Sequence, residues 1–129
     1  MSATAAELVA QAKSEIQNLT PEQVSQDAAA GAVLIDLREP AELRLEGMIE
    51  GAVQAPRGML EFWADPASPY HRPEFDPGRR TVLYCASGGR SALAVRTLAR
   101  LGYADIGHLD GGFKAWKQAG HPTVPSPDA

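Results

Sequence analysis

Apolar residues fall along this chain in two rhythms, a helical spacing in some stretches and short unbroken runs in others. Ala5, Leu8, Val9, Ala12, Ile16 and Leu19 recur at helical spacing and predict an amphipathic N-terminal helix. Packing on the domain, pairing with another copy and fraying are all open to it. Thr20-Pro21-Glu22-Gln23 then supplies an N-cap, a proline at the first helical position and a capping-box glutamine. The second helix that starts there is expected to stop near Gly31. Ala32 to Asp36, Gly51 to Ala55, Thr81 to Tyr84 and Ile106 to Leu109 read as short strands. Helices are expected over Pro40 to Leu45, Gly58 to Ala64, Ser91 to Leu101 and Phe113 to Ala119. Asp65 to Gly78, rich in proline and aromatics, reads as irregular loop. Pro122 to Ala129 holds three prolines and reads as a tail, extended over the surface or disordered.

Strands alternating with helices imply parallel pairing in an α/β fold, with helices on both faces of the sheet. Ligands in such folds bind beyond the carboxyl ends of the strands. Asp36, Cys85 and Asp110 all fall at predicted strand ends, so they could share one rim.

A length of 129 residues suits one domain with a single core. The expected organisation is a helical extension over 1–19, the domain over 20–122 and a proline-rich tail over 123–129. A net charge of −4 argues against nucleic-acid or anionic-membrane partners. The chain has no apolar run of membrane-spanning length and no signal-peptide pattern, so a cytoplasmic location is expected. A single cysteine forms no internal disulfide, and no CxxC pattern or histidine cluster suggests zinc. His71, His108 and His121 are scattered and read as solvated or structural. No metal or cofactor is expected.

Cys85 ends a buried strand and opens the loop Cys85-Ala86-Ser87-Gly88-Gly89-Arg90, directly before a helix. Two glycines there let backbone N–H groups curl toward one point, and the helix N-terminus adds positive potential. A thiol at that point ionises easily, and the thiolate is its nucleophilic form. Arg90 can close the loop by holding an oxyanion or a rim carboxylate in a forked hydrogen bond.

Three segments together resemble the single-domain rhodaneses of the sulfurtransferase family. They are Ile35-Asp36-Leu37-Arg38-Glu39-Pro40-Ala41-Glu42, the Cys85 to Arg90 loop, and Leu109-Asp110-Gly111-Gly112-Phe113-Lys114-Ala115-Trp116-Lys117-Gln118-Ala119-Gly120. The resemblance implies a five-stranded parallel sheet flanked by helices, with Cys85 carrying sulfur. A small donor such as thiosulfate or a persulfide would load Cys85, and a thiol, cyanide or protein acceptor would unload it. Asp36 and Arg38 would then buttress the rim, while Asp110-Gly111-Gly112 would serve chiefly as a turn and helix cap. One stretch departs from the family. Where rhodaneses usually show Gly-His-Ile-Pro-Gly-Ala, this chain has Gly47-Met48-Ile49-Glu50-Gly51-Ala52.

Two rivals share the thiol. Tyrosine phosphatases and related arsenate reductases place five residues between cysteine and arginine, whereas four intervene here, Ala86 to Gly89. A non-catalytic persulfide carrier or redox-sensing module would need the same low-pKa thiol. No positive side chain lies inside the loop, which weakens the case for thiosulfate as donor and leaves room for a protein or low-molecular-weight persulfide. Within Arg57 to Arg80, Phe62, Trp63, Tyr70, His71 and Phe75 could form a lid or an acceptor-docking surface. The preferred reading is that they cover apolar sheet surface.

Overall fold

Short apolar runs supply most of a five-stranded parallel sheet, and a polar three-residue segment completes it. The computed structural model describes residues 2–127. Its strands are β1 (Gln17–Leu19), β2 (Val33–Asp36), β3 (Val53–Gln54), β4 (Thr81–Tyr84) and β5 (Ile106–Leu109). They lie in the order β1-β5-β4-β2-β3, and every pairing is parallel. The helices are α1 (Ala5–Lys13), α2 (Pro21–Ala29), α3 (Pro40–Glu46), α4 (Leu60–Ala64), α5 (Gly89–Arg100) and α6 (Gly112–Gln118), with a 3₁₀ turn over Arg57–Met59.

Alternation along the strands builds two cores. Ile35, Leu83, Cys85 and Ile106 face α4 and α5, where Leu60, Ala64, Ala94, Val95 and Leu98 pack on them. Leu34, Val82, Tyr84 and Leu109 face the other way, toward Val24 of α2 and Phe113 and Trp116 of α6. Each fully buried leucine or isoleucine contributes about 1.5–3 kcal/mol, so both faces hold the sheet.

The N-terminal helix is shorter than its apolar spacing predicts. It ends at Lys13, and residues 17–19 instead form edge strand β1 beside β5. Asn18 explains the break, since its amide donates to the carbonyls of Lys13 (2.8 Å) and Ile16 (3.3 Å). Pro21 also disfavours helical geometry at Thr20, which is extended (φ −76°, ψ 161°). The β5 edge recruits what the helix cannot keep. At the other end of the chain, Met48 and Val124 exchange backbone hydrogen bonds of 2.8 Å, and the Trp116 indole donates to Pro122 O. The tail is therefore extended and tied down as far as Val124, while residues 128 and 129 lie outside the described residues.

The aromatic segment mostly covers the sheet. Phe75 is buried in the core that holds Cys85, and Trp63 packs against that core under the Arg72 guanidinium, 3.6 Å from its ring centre. Phe62 and Tyr70 are exposed. Among the described residues no helix is long and apolar enough to cross a membrane.

Candidate active site

β4 delivers Cys85 to the carboxyl edge of the sheet, and α5 begins four residues later. Gly88 makes this connection possible. At φ 107° it occupies a conformation that costs a side-chain-bearing residue dearly, and an added Cβ would press on Gly111 N at 3.3 Å. Helix α5 therefore starts at Gly89, two residues earlier than its apolar pattern indicates, and Arg90 lies in its first turn. The turn aims the Gly88 N–H at Cys85 Sγ, 3.2 Å away. Cys85 is almost wholly buried. Burial opposes its ionisation, but the Ser91 hydroxyl and the N–H groups of Ser91, Gly88 and Ser87 outweigh it, so the thiol titrates below its ordinary value.

The Asp110-Gly111-Gly112 turn seats the loop from below. The N–H groups of Phe113 and Lys114 donate to Cys85 O (2.8 Å) and Ala86 O (3.1 Å). A Cβ on Gly112 would lie 2.5 Å from Ala86 O, so glycine is required for this approach. Asp110 itself sits on the rim, half exposed, and pairs with Lys13 of α1 at 3.0 Å.

Arg90 points both terminal nitrogens at Glu42 of α3, at 2.9 Å each. This fork ties the loop to α3 and holds the Glu42 carboxyl down at about 2, from an ordinary 4.5. A carboxylate with a lowered folded pKa stabilises the fold above its unfolded pKa, and that stability is lost as pH falls from about 4.5 to about 2. The pair is one-third exposed, so we expect Glu42→Gln to cost only about 1 kcal/mol at neutral pH. Urea unfolding across that acid range checks this, because the substitution should also flatten the pH dependence there.

Asp36 and Arg38 stand behind α3 as a buried pair. Asp36 Oδ1 accepts from the Arg38 backbone N–H and Nε at 3.0 Å, and Oδ2 accepts from Nη2 at 2.7 Å. Arg38 Nη2 also donates to Gly47 O (2.8 Å), and the guanidinium lies 4.2 Å from the Phe113 ring centre. In the stretch that departs from the rhodanese pattern, Met48 is buried and Ile49 N–H donates to the Tyr84 hydroxyl. A cleft of about 470 Å³ opens beside Ala86, walled by Arg38, Glu42, Leu45, Phe113, Lys114 and Lys117. Leu45 is 81% exposed at its mouth. The cleft offers an apolar wall and charges of both signs beside the loop, with Lys117 paired to Glu46 at 3.1 Å.

Asp36, Arg38, the Cys85–Arg90 loop and Asp110 thus gather at one end of the sheet. Four further residues join them that sequence reasoning passed over, namely Glu42, Ser91, His108 and Asn18. His108 is fully buried, not solvated. Its placement on the Cys85 face could have been read from the alternation of β5, where Ile106 is a core residue.

Comparison with known proteins bears on the family and the fold. The family model for the rhodanese-like domain matches residues 20–119. An uncharacterized protein of Synechocystis sp. is 39% identical over 110 residues, covering 85% of this chain, which spans 55% of that protein's length. The thiosulfate sulfurtransferase GlpE of Ectopseudomonas mendocina is 29% identical over 104 residues, covering 81% of this chain and 87% of GlpE. Among solved structures, a protein of unknown function from Rhodopseudomonas palustris, called a possible tyrosine phosphatase, superimposes with a TM-score of 0.89. It is 39% identical and covers 95% of this chain and 96% of its own. β1 lies just before the matched region, yet it completes the sheet. By fold, by motif order and by sequence, the chain belongs to the rhodanese-like family.

Proposed function

We propose that the protein is a sulfurtransferase that carries sulfane sulfur as a Cys85 persulfide. The observation that carries this reading is the Cys85 sulfur, buried at the strand end and held by the Gly88 N–H inside a loop of four intervening residues. In the first step the thiolate attacks the outer sulfur of a donor such as thiosulfate or an organic persulfide. The donor's S–S bond breaks, and sulfite or a thiolate leaves with the electron pair. In the second, an acceptor thiolate or cyanide attacks the terminal persulfide sulfur and restores the Cys85 thiolate. The terminal sulfur is anionic, so loop N–H groups and the start of α5 stabilise it. Donors and acceptors reach the loop by the cleft beside Ala86, where Lys114 adds positive charge while Lys117 is paired with Glu46.

The tyrosine-phosphatase description of the Rhodopseudomonas neighbour keeps that chemistry in view. Phosphate transfer needs an arginine turned to the oxyanion and an acid for the leaving group. Here Arg90 is engaged by Glu42, Asp36 by Arg38 and Asp110 by Lys13, which argues for sulfur as cargo. The test is a parallel assay. With thiosulfate, or an organic persulfide, and cyanide, the protein should form thiocyanate and leave an aryl phosphate intact. Fast aryl phosphate hydrolysis without thiocyanate would reverse the assignment.

A further inference from the structure

The register of the sheet carries a row of polar side chains to the back of the Cys85 thiol. His108 pairs with Leu83 on one side and with Asn18 on the other. Alternation puts the His108 side chain on the same face as Ile106, Leu83 and Cys85, under α5. Ser91, in the first turn of α5, closes the gap. Cys85 Sγ lies 3.6 Å from Ser91 Oγ, which lies 2.8 Å from His108 Nδ1, and His108 Nε2 lies 2.8 Å from Asn18 Oδ1. Cys85, Ser91 and His108 are at most 1% exposed, so water does not compete for the two bonds among them, while Asn18 meets the ring from the exposed edge strand.

Counting donors and acceptors fixes the direction of every link. The Asn18 amide nitrogen donates to Lys13 O and Ile16 O, which leaves Oδ1 as the atom facing the imidazole. Oδ1 only accepts, so His108 carries its proton on Nε2 and presents a bare Nδ1. The Ser91 hydroxyl then donates to Nδ1 and turns its lone pairs to the Cys85 S–H. In the resting thiol the Ser91 hydroxyl proton is held by His108, and the hydroxyl turns to Cys85 Sγ only as the thiolate forms.

We propose that His108 is a positioning residue that takes up the Cys85 proton through Ser91 as the nucleophile forms. The Cys85 S–H bond breaks as Ser91 Oγ accepts that proton, and Ser91's own hydroxyl proton passes to His108 Nδ1. A thiolate, a neutral hydroxyl and an imidazolium held on Asn18 Oδ1 result, with no outside reactant. Ser91 now donates to the thiolate and accepts from Nδ1–H. The proton returns by the same path when the thiol re-forms.

The charged groups around the pair are few. Lys13 from α1 and Asp110 from the end of β5 pair beside the ring and act on it in opposite directions. Arg90 of α5 faces Cys85, with its charge balanced by Glu42 of α3. Burial holds His108 at about 4, against the pull of Asp110 and with a push from Lys13. The ring therefore rests neutral and becomes charged only against the thiolate it helps create.

The proposal rests on Cys85 being the nucleophile, but its test needs no sulfur donor, so the two can fail separately. Iodoacetamide alkylation of Cys85 followed against pH reads the thiolate directly. His108→Asn keeps an acceptor for Ser91 and removes the base. Its alkylation midpoint should rise by about one pH unit, with about a tenfold slower rate at neutral pH. Asn18→Asp, on an exposed edge strand, sets a carboxylate against Nε2–H and should move the midpoint down. In the unsubstituted protein, ¹⁵N-histidine spectra should show His108 as the Nε2–H form at rest. A midpoint that stays or rises in folded Asn18→Asp, or a resting ring protonated on Nδ1, overturns the proposal.

Discussion

Cys85→Ser is expected to abolish thiocyanate formation, with turnover falling by at least about a thousandfold. An alcohol at this position is essentially never ionised near neutral pH, and oxygen cannot take up a transferable sulfane sulfur. The substitution is otherwise mild. Serine is close to cysteine in size, and its hydroxyl inherits the Gly88 N–H and the Ser91 hydroxyl as partners. Its added polarity in an apolar core costs about 1–3 kcal/mol at most, so circular dichroism should show a folded protein. Turnover retained in a folded Cys85→Ser protein would remove Cys85 from the mechanism.

Arg38→Met is expected to be the most destabilising single change among the polar residues of the rim, at about 3–5 kcal/mol. Arg38 is 1% exposed and Asp36 is fully buried, so removing the guanidinium leaves a carboxylate without its partner or water. The loss reaches further, because Arg38 also holds Gly47 O and stacks on Phe113, the residue whose N–H supports Cys85 O. Activity should fall with stability as this support loosens. Urea unfolding of the single variant and of Asp36→Leu/Arg38→Met separates the effects. The double variant should recover part of the stability, since no buried charge remains, while the Gly47 bond stays lost. A single variant as stable as the parent would show that the pair does not brace the rim.

How far the sequence reaches depends on how local each determinant is. The apolar runs of β2, β4 and β5 bury both faces and declare themselves without any partner. The N-cap of α2 is equally local, because Thr20, Pro21 and Gln23 act within one turn. β1 is not local at all. Gln17 and Asn18 are polar and exposed, and only the open edge of β5 makes strands of them. Ile16 and Leu19 then belong to two different cores, although their spacing reads as one helical stripe. In the loop, Gly88 sets the turn and Gly112 admits its close support, and both lie in recognisable motifs. The Glu42 fork on Arg90 spans 48 residues and the Asn18 contact with His108 spans 90, so neither could be read before the topology was known. Asn18 was hidden twice, by its distance from His108 and by a strand that the apolar pattern does not announce.

Intact-mass measurement after incubation with thiosulfate, or with an organic persulfide, tests the central claim most directly. The protein should gain the mass of one sulfur atom, mapped to Cys85, and lose it on addition of cyanide with release of thiocyanate. A folded protein that gains no sulfur from either donor, or gains it away from Cys85, would contradict the account.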